Sequence, residues 1–427
     1  MYVKKERYPD LPPPVAEIGP IGWLRKNLFS SFANTCFTFF GIWLLLRVIP
    51  PFFDWAFVNA VWLGDGREAC DELATLGNPG ACWVFIRVRL GMFMYGFYPE
   101  LERWRVNFAF FLLAVTMLPL LFHGGVLVKF RRKRLFGFVG AGVWSMAAFA
   151  WFGVAPAFIT LFFAGGPIAV GCLEKLGRMR LSARGCQWIC LMLLFPVVAF
   201  ILFAGGVFGL PVVATDLWGG MFLTLVVAGV GIGASLPIGI VLALGRRSTL
   251  PVVRTLCIFF IEFVRGVPLI SVLFMASVML PLFLPEGTHF NKLLRALIGV
   301  AFFYSAYMAE VVRGGLQAIP RGQFEAADAL GLGYWKTMRL IILPQALRTV
   351  LPGITNTFIG LFKDTTLVAV IGLLDMLGVV KTALADTDWL GFSKEAYIFA
   401  GLSFWIFCFA MSRYSMRLEN IHRVDRR

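Results

Sequence analysis

The sequence predicts an all-α, polytopic transmembrane protein, on three observations. Hydrophobic residues make up 59% of the 427 residues and charged residues only 15%, with a mean hydropathy of +0.80. A soluble chain carries about a quarter charged residues. Apolar runs of about 20 residues recur, each long enough to cross a hydrocarbon core of about 30 Å as a helix. The runs are continuously apolar rather than alternating, which argues against a membrane β-barrel. The net charge of +15 would suit a nucleic-acid partner, but the basic residues fall between the apolar runs. There they orient the spans by the positive-inside rule, so the expected partner is the lipid bilayer and no nucleic acid.

The elements follow in order. Met1 to Pro14 are polar and proline-rich, unlike a cleavable signal peptide, whose apolar stretch directly follows its basic start. Lys4, Lys5, Arg7, Arg25 and Lys26 precede a first span at 33–53, so the N-terminus is expected in the cytoplasm. Residues 54–105 form a far-side loop rich in aromatics, suited to headgroup depth. It carries Arg67, Arg87, Arg89, Arg103 and Arg105, against the charge rule, with acids among them. A second span, 106–127, returns to Lys129 and Arg131 to Arg134. Spans 135–154 and 157–173 make a hairpin ending at Lys175, Arg178, Arg180 and Arg184. A fifth span, 187–206, leads to a Gly/Pro-containing link at 205–217. The expected division is therefore an N-terminal membrane extension, 1–205, and a second domain, 206–427.

In the second domain a span at 219–244 runs inward to Arg246 and Arg247. Residues 251–266 read as an amphipathic elbow at the inner face, followed by spans at 268–284 and 295–313. A polar, helix-forming loop, 314–346, stays inside. Spans 348–375 and 395–412 follow, and Arg413, Arg417, Arg423, Arg426 and Arg427 make a basic tail. About ten spans with both termini in the cytoplasm satisfy the charge rule nearly everywhere.

The 314–346 loop is the most specific feature. Glu325-Ala326-Ala327 is followed by three residues, Gly331, nine residues and then Ile341-Ile342-Leu343-Pro344. Pro320 suits a helix start, Glu325 near that start suits the helix dipole, and the alanines let a partner approach closely. Gly331 and Gly333 break the helix. A second helix, Tyr334 to Leu343, is expected to stop before Pro344. The segment has the shape of a lever beneath the membrane.

Two charged groups stand out in the apolar half. Lys363 and Asp364 fall near the middle of a predicted span, where charges pair or line a water-filled path. With Asn356, Thr357, Thr365 and Thr366 they make a polar stripe that could meet both ends of a zwitterion. An internal ion pair or a local break in the helix are the structural alternatives. Glu262, Arg265, Glu310 and Arg313 map near the inner face and could form a charge network that changes between inward- and outward-facing states, or could be snorkelling side chains. Of eight cysteines, Cys70 and Cys82 lie in the first polar loop, where a disulfide can form if that loop is extracytoplasmic. The other six lie in or beside apolar runs. His123, His289 and His422 are scattered, and no cysteine spacing suits a metal. No G-x-x-x-x-G-K-[ST] run occurs, so the chain has no P-loop for ATP. No nucleophile elbow or carboxylate pair suggests an enzyme.

Residues 215–415 resemble the polar-amino-acid family of ABC importer permeases. Glu262-Phe263-Val264-Arg265-Gly266-Val267-Pro268-Leu269, Glu310-Val311-Val312-Arg313-Gly314-Gly315 and Phe362-Lys363-Asp364-Thr365-Thr366-Leu367 carry the resemblance, with the spaced Glu-Ala-Ala pattern. Gly80-Ala81-Cys82-Trp83, Tyr98-Pro99-Glu100 and Glu102-Arg103-Trp104-Arg105 extend it over nearly the whole chain, to the larger-type permease subunits of the general L-amino-acid transporters of proteobacteria. The resemblance implies a type I importer transmembrane domain in a bacterial inner membrane. It also implies that Glu325, Ala326, Ala327, Gly331 and Pro344 serve coupling to a separate ATPase dimer, which holds the ATP and Mg. A sister permease subunit and a periplasmic amino-acid-binding protein complete the implied set. The competing expectation is a gradient-driven secondary transporter or channel, working without an ATPase.

Overall fold

The computed structural model describes residues 19–75, 80–121, 190–207, 209–283, 285 and 291–424. Spans 135–154 and 157–173, with the basic clusters beside them, lie outside the described residues. The chain divides into two compact units, Met1–Val88 and Arg89–Arg427.

In the first unit, helix α1 (Gly19–Asn27) precedes α2 (Phe32–Phe53), which continues through a wide turn to Val58. The Ser31 hydroxyl accepts the Asn34 N–H at 3.2 Å and starts α2. After α2 the aromatic loop folds back on itself. The Val61 N–H reaches the Ala81 carbonyl at 2.8 Å, and the Trp83 N–H reaches Val61 at 2.9 Å. Helix α3 (Glu68–Thr75) lies between these strands of chain, and a disulfide joins Cys70 to Cys82 across it, with Cα atoms 5.8 Å apart. The Trp83 indole stacks on Trp62 at 5.7 Å and donates to the Ala56 carbonyl at 2.8 Å.

Helix α4 (Trp83–Tyr95) leads into the second unit, where α5 (Arg103–Leu121) carries the second predicted span as far as it is described. The fifth predicted span appears as a wide turn, Cys190–Leu194, and α6 (Phe195–Ala204). Packing continues across the 205–217 link. Tyr98, Phe108 and Phe203 share one core with Trp218, Phe222 and Leu273. Two buried polar groups fasten the link. The Tyr98 hydroxyl donates to the Phe203 carbonyl at 2.9 Å, and burial pushes its phenol up to about 12, so the proton stays on. The fully buried Arg105 donates to the Pro211 carbonyl at 2.9 Å and pairs with Glu102 at 2.5 Å.

Helix α7 (Gly220–Arg246) pairs with α10 (Lys292–Gln317) along its length. Small residues permit this. A Cβ on Gly239 would sit 2.8 Å from the Met308 Cβ, and one on Gly231 would sit 3.2 Å from Val300. The elbow α8 (Pro251–Gly266) and the next segment, α9 (Leu269–Phe274) running on to Phe283, meet at 105°. Pro268 stands at the corner with φ −62 and ψ 144, which no helix can continue. Five described helices are long and apolar enough to cross a membrane, or six with the bent pair.

Several expected boundaries move. Helix α10 runs to Gln317 instead of stopping at 313, and bare Gly315 lets it close on the helix Leu343–Thr349, where a Cβ would meet the Ala346 carbonyl at 2.7 Å. The last helix, α16 (Ser393–Val424), absorbs Arg413, Arg417 and Arg423 of the expected basic tail. Residues 376–384 form an unexpected helix, α15 (Met376–Leu384), capped by Asp375, whose carboxylate accepts from Gly378 N–H at 2.9 Å and Leu377 N–H at 3.2 Å.

Asp375 is fully buried, and desolvation raises its carboxyl above the ordinary range despite those two hydrogen bonds and the charge of Lys381. The folded chain then holds this proton more tightly than the unfolded chain. The group's contribution to stability grows as pH falls into the window between the ordinary and the raised value, and shrinks as pH rises through it. Thermal unfolding of the solubilised chain should show that slope, and Asp375→Asn should flatten it while keeping the cap. Asp375→Ala should cost about 1 kcal/mol more through the lost cap. A slope unchanged by Asp375→Asn would refute the assignment.

Candidate functional site

The loop beneath the spans is built from four short pieces. Helix α11 (Arg321–Ala329) starts at Pro320, as its fixed φ allows. It ends at Gly331, whose φ of +69 suits glycine; the Leu332 N–H bonds to the Ala327 carbonyl at 3.1 Å and the Gly331 N–H to Asp328 at 2.9 Å. Helix α12 (Tyr334–Thr337), a wide turn at Met338–Ile342 and α13 (Leu343–Thr349) follow.

Two expectations are corrected here. Glu325 lies in the second turn of α11, away from its first N–H groups, so the helix dipole does little for it. Pro344 does not stop a helix. The wide turn lets the Leu343 N–H reach back to Met338, and Pro344 then falls in the first turn of α13, where its missing N–H costs nothing.

Within α11 the motif residues divide by face. Ala327 is buried, while Glu325 and Ala326 are exposed. The Gln345 amide ties the lever to the helices behind it, donating to Gln323 at 3.1 Å. Three large side chains that sequence reasoning passed over lie in the same loop. Leu330 is 76% exposed, Trp335 72% and Tyr334 50%. Apolar residues on a polar loop outside the spans were the available signal. Trp and Tyr are the side chains that anchor protein interfaces.

Above the lever, the four expected inner-face charges converge on Glu310. Arg313 donates to it at 2.8 Å from the next turn of α10, and Arg265 of the elbow lies at 3.9 Å. Arg246, at the end of α7, was not among the candidates. It bridges the cluster, 2.9 Å from Glu262 and 3.6 Å from Glu310. Arg265 also lies over the Tyr307 ring at 5.6 Å. The cluster thus joins α7, the elbow and α10, and α10 runs directly into the lever.

The candidate substrate path is on α14 (Leu351–Asp364) and the tight turn Thr365–Ile371. The α-helix tightens into the 3-10 turn at Asp364, where the charges stand, within one continuous span, Leu351–Ile371. No ion pair joins Lys363 to Asp364. Lys363 and Asn356 are exposed, two turns apart on one face. Asp364 turns toward α10 and accepts the Tyr304 hydroxyl at 2.5 Å, a partner the sequence did not announce. The threonine hydroxyls are spent on their own backbone: Thr357 on Gly353 at 2.9 Å, Thr365 on Phe362 at 2.8 Å and Thr366 on Lys363 at 3.0 Å. Among the described residues no cluster of side chains could hold a metal.

Comparison with known proteins carries this geometry to a family. Residues 235–419 match the profile described as "Binding-protein-dependent transport system inner membrane component". The chain is 48% identical over 404 residues to the inner membrane amino-acid ABC transporter permease protein YhdY of Escherichia coli, covering 95% of this chain and 93% of that one. It is 42% identical over 439 residues to the glutamate/glutamine/aspartate/asparagine transport system permease protein BztC of Rhodobacter capsulatus, covering 100% and 99%. Among solved structures, "Crystal structure of an amino acid ABC transporter with histidines" aligns with 47% of this chain and 91% of that one, at 28% identity and a TM-score of 0.42. With two near-full-length relatives at this identity, the chain belongs to the multi-pass inner-membrane permeases of binding-protein-dependent ABC transporters.

Proposed function

We propose that the chain is one of two different membrane subunits of an ATP-driven importer of polar or acidic L-amino acids, or of a broad range of them. The names of its near-full-length relatives support the substrate class. The family supplies an ATPase and a binding protein as separate components. The gradient-driven alternative has no support in that family.

The observation that carries the reading is the lever. It presents Glu325, Ala326, Leu330 and Trp335 to solvent, and it is continuous with the helix that bears Glu310. ATPase closure moves α11, α10 follows, and the Glu310 cluster lets the elbow and α7 shift with it. Binding the moving parts through charges suits a joint that must break and re-form, since partly exposed ion pairs are individually weak. The chain binds no nucleotide, and ATP and Mg stay on the partner. Both termini face the cytoplasm, on the same side as the lever, with Arg25, Lys26, Arg413 and Arg417 flanking the outermost spans.

For the substrate path we take Asp364 and Lys363 as the groups that meet the ammonium and carboxylate of the passing amino acid. Asp364 then exchanges its Tyr304 hydrogen bond for substrate. Asp364→Ala should cut uptake at least tenfold while the complex still assembles at normal yield. Tyr304→Phe should cut it less, because it leaves the carboxylate in place. Uptake of radiolabelled substrate by cells carrying each variant decides this, and normal uptake by Asp364→Ala refutes it.

A further inference from the structure

Four stretches far apart in the sequence meet at the start of α7. The Gly220 N–H bonds to the Leu374 carbonyl at 2.9 Å, just before α15. The Met376 N–H, in the first turn of α15, bonds to the Thr224 hydroxyl at 3.1 Å. Gly96 pairs backbone to backbone with Trp218, so closely that a Cβ on it would meet the Gly219 Cα at 2.4 Å. A Cβ on Gly220 would meet the Phe93 carbonyl at 2.2 Å. The Phe93 ring packs on Phe399 of α16, with centroids 5.5 Å apart. An ion pair completes the junction: Arg89 donates to the carboxylate of Asp386, just past α15. Asp386 also accepts the Asp388 N–H at 3.1 Å and so starts the tight turn Thr387–Trp389. The two side chains of the pair are 29% and 30% exposed, so most of it is out of water.

The place of this junction gives it a consequence for transport. Helix α7 runs 27 residues, about 40 Å, from Gly220 to Arg246. Arg246 stands in the Glu310 cluster above the lever, so the junction holds the far end of the same helix. Asp364 of the candidate substrate path is joined to α15 by the tight turn Thr365–Ile371 and a short link. A push on one end of a helix opens a path only when the other end is held; otherwise helix and path shift together. Residues Arg89 to Tyr98 come from the N-terminal extension and lie outside residues 235–419, which carry the family match.

We propose that the segment Arg89–Tyr98 is the fulcrum of the transport stroke, with Arg89 as the positioning residue that holds Asp386 and α15 against the far end of α7. The ion pair stays closed through the cycle. This rests on the reading of the chain as a permease driven by a separate ATPase. It gives part of the N-terminal extension a role that neither the lever nor the Glu310 cluster supplies.

The test uses the complete transporter in vesicles, with rates taken per recovered complex. Arg89→Gln should cut amino-acid uptake about fivefold or more, while ATP hydrolysis continues near its normal rate, so fewer molecules are carried per ATP. Arg89→Lys keeps the charge and should lose much less. A chain with both Arg89→Cys and Asp386→Cys should behave like Arg89→Gln until a short bifunctional maleimide bridges the two thiols, and should then recover most of its uptake. The unaltered chain treated with the same reagent sets the baseline. Normal transport per ATP with Arg89→Gln would overturn the proposal. So would a bridged pair that transports no better than the unbridged one, since the contact must then open during the cycle. Uptake and hydrolysis falling together, or loss of the Arg89→Gln chain from the membrane, would make the pair a folding contact alone and overturn it too. If the unaltered transporter accumulates amino acid without ATP, the proposal falls together with the reading beneath it.

Discussion

Glu325→Lys is expected to leave the chain in the membrane and to reduce ATPase recovery with it at least tenfold. The carboxylate is exposed on α11 and takes part in no ion pair within the described chain, so its removal costs the fold little. Reversing its charge at the centre of a contact costs far more than losing it, because the partner group is left desolvated beside a like charge. Gly331 gives a companion test of shape. Its φ of +69 meets no neighbouring atom that a side chain would strike, so the barrier to substitution is backbone strain alone. Gly331→Val should weaken ATPase recovery strongly, and Gly331→Asn much less, since Asn tolerates the left-handed region. Affinity purification from membranes, with the ATPase quantified against this chain, reads both. Full recovery with Glu325→Lys would count against docking at the lever.

The second large effect is expected at Glu310. Three arginines surround it: Arg246, Arg265 and Arg313. Glu310→Ala leaves them facing one another, with Glu262 still beside Arg246. The elbow and α7 should then lose their hold on α10, and the stroke of the lever should not reach the spans. Uptake should fall about tenfold or more, equivalent to about 1.4 kcal/mol or more, while the ATPase stays bound and keeps hydrolysing. Glu310→Gln should be intermediate, since it keeps a hydrogen-bond acceptor but not the charge. Loss of uptake and hydrolysis in equal measure would place Glu310 at the ATPase contact instead. The two predictions therefore separate grip from transmission: one removes the ATPase, the other disconnects it.

What the sequence made legible depended on how local the signal was. The spans now seen as α7 and α10 announce themselves by continuous apolarity, and the lever by its spacing. The wide turn at Met338–Ile342 could not be foreseen. Met338 and Ile342 of the turn share a buried cluster with Ala346 of α13, and the turn places Pro344 at a helix start rather than a stop. Helix α15 was hidden because its nine residues are too few to span, and its cap, Asp375, is one buried carboxylate among loop residues. The site behaved likewise. Glu262, Arg265, Glu310 and Arg313 stood out as charges beside apolar runs. Arg246 was read only as an orienting charge, because its partners lie on two other helices. Tyr304 was missed for the same reason: it sits 60 residues from Asp364 in sequence. Long-range pairs leave no periodic trace in one chain.

Purified vesicles offer the most direct test of the central claim, that a separate ATPase drives transport by moving the α11 lever. Vesicles containing the whole complex and an external binding protein should accumulate amino acid when ATP is supplied on the lever side. Omitting the ATPase, or supplying it with the Glu325→Lys chain, should abolish accumulation. Uphill accumulation by the permease subunits without any ATPase would contradict the account.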